Sequence, residues 1–231
     1  MVFSSLEYLL VFLPAVLLGF VLLNTRTHTR LALGWLVFCS LFFYAWWKPA
    51  YLLLLLGSIL FNFLIAGWMS RNRRVSGKLL VIGVTANLAA IAWFKYAGFM
   101  STKLNWLFGL DLGGQDIILP LAISFFTFQQ IAFLVDCHRD IAHEYDLLDY
   151  TLFVSFFPQL IAGPIVHHND VIPQFRQLRT DSFKIDNLQI GLTVLMIGLF
   201  KKVVIADGLA EIATPIFDRA ERGLFIGSAE A

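Results

Sequence analysis

Hydrophobic positions run in long blocks along this chain, and the polar positions gather between them. Six stretches contain no Asp, Glu, Lys or Arg: residues 8–25, 31–47, 49–70, 79–94, 117–135 and 150–169. A seventh, 187–200, extends to Ala206 if Lys201 and Lys202 snorkel toward the membrane surface. A spanning helix needs roughly 20 mostly apolar residues, so the pattern predicts an all-α polytopic membrane protein. It holds about six to seven transmembrane or re-entrant helices. No repeat, linker or second domain interrupts it, and residues 1–231 are expected to form a single membrane domain.

Two of these stretches depart from plain apolar character. Gln129 and Gln130 sit deep in one, while Pro158, Gln159, Gly163 and Pro164 interrupt the next. A broken helix frees backbone groups that lipid cannot satisfy, so it persists at membrane depth only beside protein or a wet cavity. The pair is therefore expected to wall an internal passage, with Gln129, Gln130 and Gln159 facing it. The segment 150–166 is expected to be re-entrant, entering and leaving on one side.

The loops orient the chain. Arg26 and Arg30 share one loop, Arg71, Arg73, Arg74 and Lys78 another, and the turn between them holds Lys48 alone. The positive-inside rule puts the two basic loops in the cytoplasm and the N-terminus outside. Residues 96–116 then lie outside, where 99–110 are expected to form an interfacial helix. Residues 136–149 and 167–186, with eight acidic and four basic residues, are the most polar part.

Composition agrees with this reading. Hydrophobic residues make up 58% of the 231 positions and charged residues 14%, against about a quarter charged in soluble domains. The net charge of +1, without a basic face, excludes a nucleic-acid footprint. Cys39 and Cys137 fall in unlike surroundings, which argues against a disulfide. The apolar N-terminus lacks a basic leader and a cleavage site, and is expected to be a permanent span. There is no Walker loop, G-x-S-x-G elbow, CxxC pair or dinucleotide fingerprint.

Several linked motifs carry a family resemblance. PLAISFFTFQ from Pro120, AFLVDCHR from Ala132, and VSFFPQLIAGPIV from Val154 precede IPQF from Ile172. ANLAAIAWFKYAGF lies upstream and GLFKKVVIADGLA downstream. In this order the chain resembles the membrane-bound O-acyltransferases, in particular the branch that acetylates exopolysaccharides such as alginate. The resemblance implies an acyl donor such as acetyl-coenzyme A in the cytoplasm, a bound cofactor of no kind, and a polysaccharide acceptor outside. It also implies a bacterial inner-membrane location and a separate periplasmic partner that completes transfer.

In that family a membrane-core histidine acts as general base, which requires an imidazole with a pKa near the working pH. The five histidines here, His28, His138, His143, His167 and His168, all fall in loops or at helix ends. The expected base is therefore placed beyond Ala231, in a longer domain of which this chain is the N-terminal part, and the chain alone is expected to be inactive. A cytoplasmic donor mouth is assigned to Asp136, Arg139, His167, His168, Arg176 and Arg179, because arginine's planar fork suits phosphate. Asp136 and Arg139, three apart, are expected to share a helical face. Cys137, His138 and His143 lack the spacing of helical zinc pairs, and no metal is expected. Gly191 and Gly198 suggest close helix packing. The rival reading is a transporter or channel subunit, since broken helices also mark transporter sites.

Overall fold

A computed structural model describes residues 2–24, 29–108, 118–142, 146–161, 163, 166–177 and 185–223. Among these every regular element is helical. A π-helical turn, Tyr8–Phe12, leads into α1 (Leu13–Leu23). There follow α2 (Thr29–Trp47), α3 (Pro49–Arg71), a 3₁₀ turn (Arg73–Val75) and α4 (Ser76–Phe108). The chain continues through α5 (Ile123–His138), α6 (Leu147–Ser155), α7 (Phe157–Leu160) and α8 (His168–Gln177). The last described elements are α9 (Ile185–Phe200), a π-helical segment (Lys201–Ala206) and α10 (Asp207–Glu221).

Among the described residues, four continuous helices are long and apolar enough to cross a membrane: Arg30–Trp47, Pro49–Arg71, Arg73–Ser101 and Ile185–Glu221. The apolar helix Tyr8–Leu23 is shorter, as are α5, at 16 residues, and the broken pair α6 and α7. α4 corrects one sequence expectation. Its 33 residues run unbroken through the stretch assigned to an interfacial helix. At 1.5 Å per residue it spans about 50 Å, more than the roughly 30 Å hydrocarbon core. Its C-terminal turns therefore reach the interface as an extension of the span.

The chain divides into two compact units. Residues 16–180 form one, and residues 1–15 with 181–231 the other. In the larger unit α3 packs on α2, α4 and α5, α4 on α5, and α6 on α2 and α8. Tyr44, Leu55, Met69, Phe126, Leu134, Tyr150, Phe153 and Ile172 fill its core. Close approach sets part of this packing: a Cβ on Gly83 of α4 would come within 2.6 Å of the Leu134 side chain on α5. In the smaller unit no residue of α9 or α10 is buried, and both Gly191 and Gly198 face open space. The close packing expected at these glycines is thus not made by any described helix.

Local chemistry explains where the helices stop. α3 starts with Pro49 in its first turn, where a missing N–H costs nothing, after an extended Lys48. α5 ends in a Schellman motif: Ile141 N–H donates to the Asp136 carbonyl and Asp140 N–H to that of Cys137, with Asp140 left-handed at φ 65. Arg73 donates to the Cys137 carbonyl at 2.9 Å and pairs with the Asp140 carboxylate. Asp146 caps α6, its carboxylate accepting from Asp149 N–H at 2.8 Å.

The predicted helix break is present. α6 ends where Phe156 turns extended, and Pro158 restarts the helix within the first turn of α7. Proline in a helix interior would clash with the carbonyl four residues back. The Phe157 N–H released by the break finds Ser40 Oγ of α2 at 3.3 Å, and both residues are buried. Gly163 follows where a Cβ would lie 2.7 Å from both Cα and the carbonyl oxygen of Gln159. Only glycine fits that approach without moving backbone.

Candidate functional site

α3, α4, α5 and α6 each contribute to one buried polar cluster. Asn62 and Asn87 exchange amide hydrogen bonds at 3.2 and 2.6 Å. Asn62 also donates to Gln130 Oε1 at 2.5 Å, and Ser58 Oγ to the same oxygen at 3.2 Å. Tyr150 OH donates to it at 3.5 Å. Gln130 is fully buried, and its Nε2 has no hydrogen-bond partner. Three donors fix the amide through its oxygen, which leaves two N–H protons aimed into the bundle. Leaving such a donor unmet costs about 1–3 kcal/mol, which a carbonyl-bearing guest or a water would recover.

Gln129 is buried beside it on α5. Gln159 lies on α7 with its Nε2 buried and also without a partner. Together with Phe156, exposed Pro158, Gly163 and Phe175 it lines a groove of about 320 Å³ at the helix break. A second groove, of about 340 Å³, lies between α3 and α4, where Ser58 and Asn87 present polar atoms among apolar side chains. Pro164 falls outside the described residues.

The residues assigned to the donor mouth divide. Asp136 is buried at the end of α5, with its Oδ2 3.0 Å from His167 Nε2 and 3.5 Å from His168 Nδ1. Burial pushes the His168 imidazole below the ordinary histidine value, with Asp136 pulling it up and His167 adding to the depression. Arg139 is exposed just past the helix end and forms no ion pair with Asp136. The expected shared face fails because the helix stops at His138. Arg176 lies on α8, while Arg179 and His143 lie outside the described residues. Cys39 and Cys137 are both free and buried, and the His138 ring meets Ser76 Oγ at 2.9 Å.

Sequence reasoning missed Ser58, Asn62, Asn87 and Tyr150. Asn62 and Asn87 were visible as polar residues in the middle of charge-free stretches, the position where a polar group in a membrane calls for a partner. Nothing in the sequence paired them with Gln130, which lies 68 residues beyond Asn62.

Comparison with known proteins bears on what this arrangement serves. The chain is 39% identical to the peptidoglycan O-acetyltransferase of Helicobacter pylori, over 98% of its own length and 48% of that protein's. It is 38% identical to a protein of Pseudomonas aeruginosa named probable alginate O-acetylase, covering 94% of this chain and 42% of that one. A protein of the same name in Azotobacter vinelandii is 36% identical, with 94% and 44% covered. The chain thus spans somewhat under half the length of these relatives. No solved structure matches it. The profile of the membrane-bound O-acyltransferase family matches residues 17–223, nearly all of the larger unit and most of the smaller one, and the chain belongs to that family.

Proposed function

We propose that this chain supplies the passage wall and donor mouth of a bacterial inner-membrane O-acyltransferase. That enzyme moves acetyl groups from a cytoplasmic donor such as acetyl-coenzyme A to an exported polysaccharide. The observation that carries the reading is the Gln130 amide: buried within a four-helix polar cluster, fixed through its oxygen, and holding unpartnered N–H groups beside a broken helix. A donor fixed in this way is preorganised for a carbonyl oxygen, and an acetyl thioester offers one. Relatives named for O-acetyl transfer to peptidoglycan and to alginate support the reaction class, and either polymer type fits as acceptor. A periplasmic partner would finish the transfer, and the N-terminus would face it. The base that draws the acceptor proton is assigned to a part of the enzyme other than these spans.

In the complete protein, Gln130→Leu is expected to lower polysaccharide acetylation at least tenfold, read by mass spectrometry of released acetyl esters, with membrane insertion and expression kept. Acetylation at the wild-type level would remove Gln130 from the acyl route.

A further inference from the structure

We propose that Asp136, His167 and His168 form a binding site for a divalent transition-metal ion of the zinc class, joining the end of α5 to the start of α8. The three residues offer ligand atoms that all lie within 4.8 Å of one another. Two imidazole nitrogens and one carboxylate oxygen are a donor set suited to zinc. Tetrahedral zinc with bonds of about 2.0–2.2 Å sets its donors about 3.3–3.6 Å apart. Asp136 Oδ2 stands 3.5 Å from His168 Nδ1, within that range, and 3.0 Å from His167 Nε2, a little under it.

A second observation favours a cation over simple imidazole–carboxylate hydrogen bonding. Oδ2 is buried and has no hydrogen-bond partner, although both nitrogens are this close. Close donors without aligned protons are expected of atoms aimed at a common third point. A buried carboxylate oxygen left so is costly unless a cation meets it. The surroundings fit as well. Phe133 and Phe153 stand edge-on to the His168 ring at 5.3 and 6.3 Å, holding its orientation within an apolar shell. The His167 side chain is 47% exposed, which gives a path of entry and leaves room for a fourth ligand. The ion would fasten the returning segment to α5 with a coordination position open to solvent or a guest. The reading is independent of acyl transfer.

The test uses the complete protein in detergent, stripped with a chelator and titrated with zinc. Wild type is expected to take up one equivalent and to show a higher unfolding midpoint with zinc present. Cobalt in its place is expected to give the intense visible bands of a four-coordinate site. Asp136→Asn and His167→Ala, each checked for monodisperse elution, are expected to lose the equivalent and the thermal shift. No uptake by wild type overturns the proposal, as does uptake that both variants retain. Because wild-type stabilisation needs no variant, a misfolded variant does not rescue the idea.

Discussion

At the scale of single residues, amides outweigh charges inside this bundle. A charged group deep in a membrane costs several kcal/mol, whereas Asn62, Asn87 and Gln130 hold three helices together without one. Replacing Asn62 with Leu removes the strongest donor to Gln130 Oε1 and takes away both partners of the Asn87 amide on that side. The expected cost is about 1–3 kcal/mol, the usual penalty for buried polar groups left unmet. It should appear as a lower unfolding midpoint in detergent, and an unchanged midpoint would show the cluster to be dispensable. The residue scale is also where the sequence was least legible. Each amide was visible alone, but pairing between residues 25 and 68 positions apart depends on helix register that hydrophobic blocks do not encode. Asp136 shows both sides: its grouping with His167 and His168, 31 and 32 residues downstream, was read from sequence, while its pairing with Arg139 was not made.

At the scale of elements, punctuation was easier to read. Pro158 announced the break between α6 and α7, because proline cannot continue a helix, and Gly163 the close approach after α7, which any Cβ would block. α4 was harder. Lys95, Lys103 and Gly98 dilute its apolar pattern, yet a helix that has cleared the hydrocarbon core can continue with polar side chains in the headgroup region. What the break needs is a partner for the N–H it frees, and Ser40 provides it from 117 residues away. Ser40→Ala is therefore expected to destabilise by about 1–3 kcal/mol through the orphaned Phe157 N–H, while a surface change such as Thr193→Ala, whose hydroxyl bonds only its own helix, stays within about 0.5 kcal/mol. Equal unfolding midpoints for the two variants would mean that water, not Ser40, meets the break. Gly163→Ala tests the same hinge differently: it must displace Gln159 backbone, and lowered expression with loss of the folded fraction is expected.

At the scale of the larger unit, three pairings gather distant loops at one end. Arg30 at the start of α2 reaches Asp146 before α6, Arg73 between α3 and α4 joins Asp140 after α5, and Asp136 meets His167 and His168 after the break. The opposite end is tied by Tyr44 and Tyr51, whose hydroxyls donate to the carbonyls of Leu121 and Ile118 ahead of α5. Arg30 and Arg73, two of the basic residues that oriented the chain by sequence, thus share an end with Asp146 and Asp140, and such exposed pairs add little stability but fix which loops are neighbours. α6 starts at this end after Asp146, the helix breaks at Phe156, and His167 and His168 lie against Asp136 at the same end. The expectation that residues 150–166 are re-entrant is open to a labelling test. In otherwise cysteine-free protein, Cys39 and Cys137 having been replaced, single cysteines at the exposed positions Arg74, Arg139 and Asn169 should react with a membrane-impermeant maleimide from one face only. That face should be the cytoplasmic one, so right-side-out vesicles should label none of the three and inverted vesicles all of them. Labelling of Asn169 from the face opposite Arg139 would mean that residues 150–166 cross the bilayer, and the broken hairpin would then be a span with a gap rather than a wall that turns back.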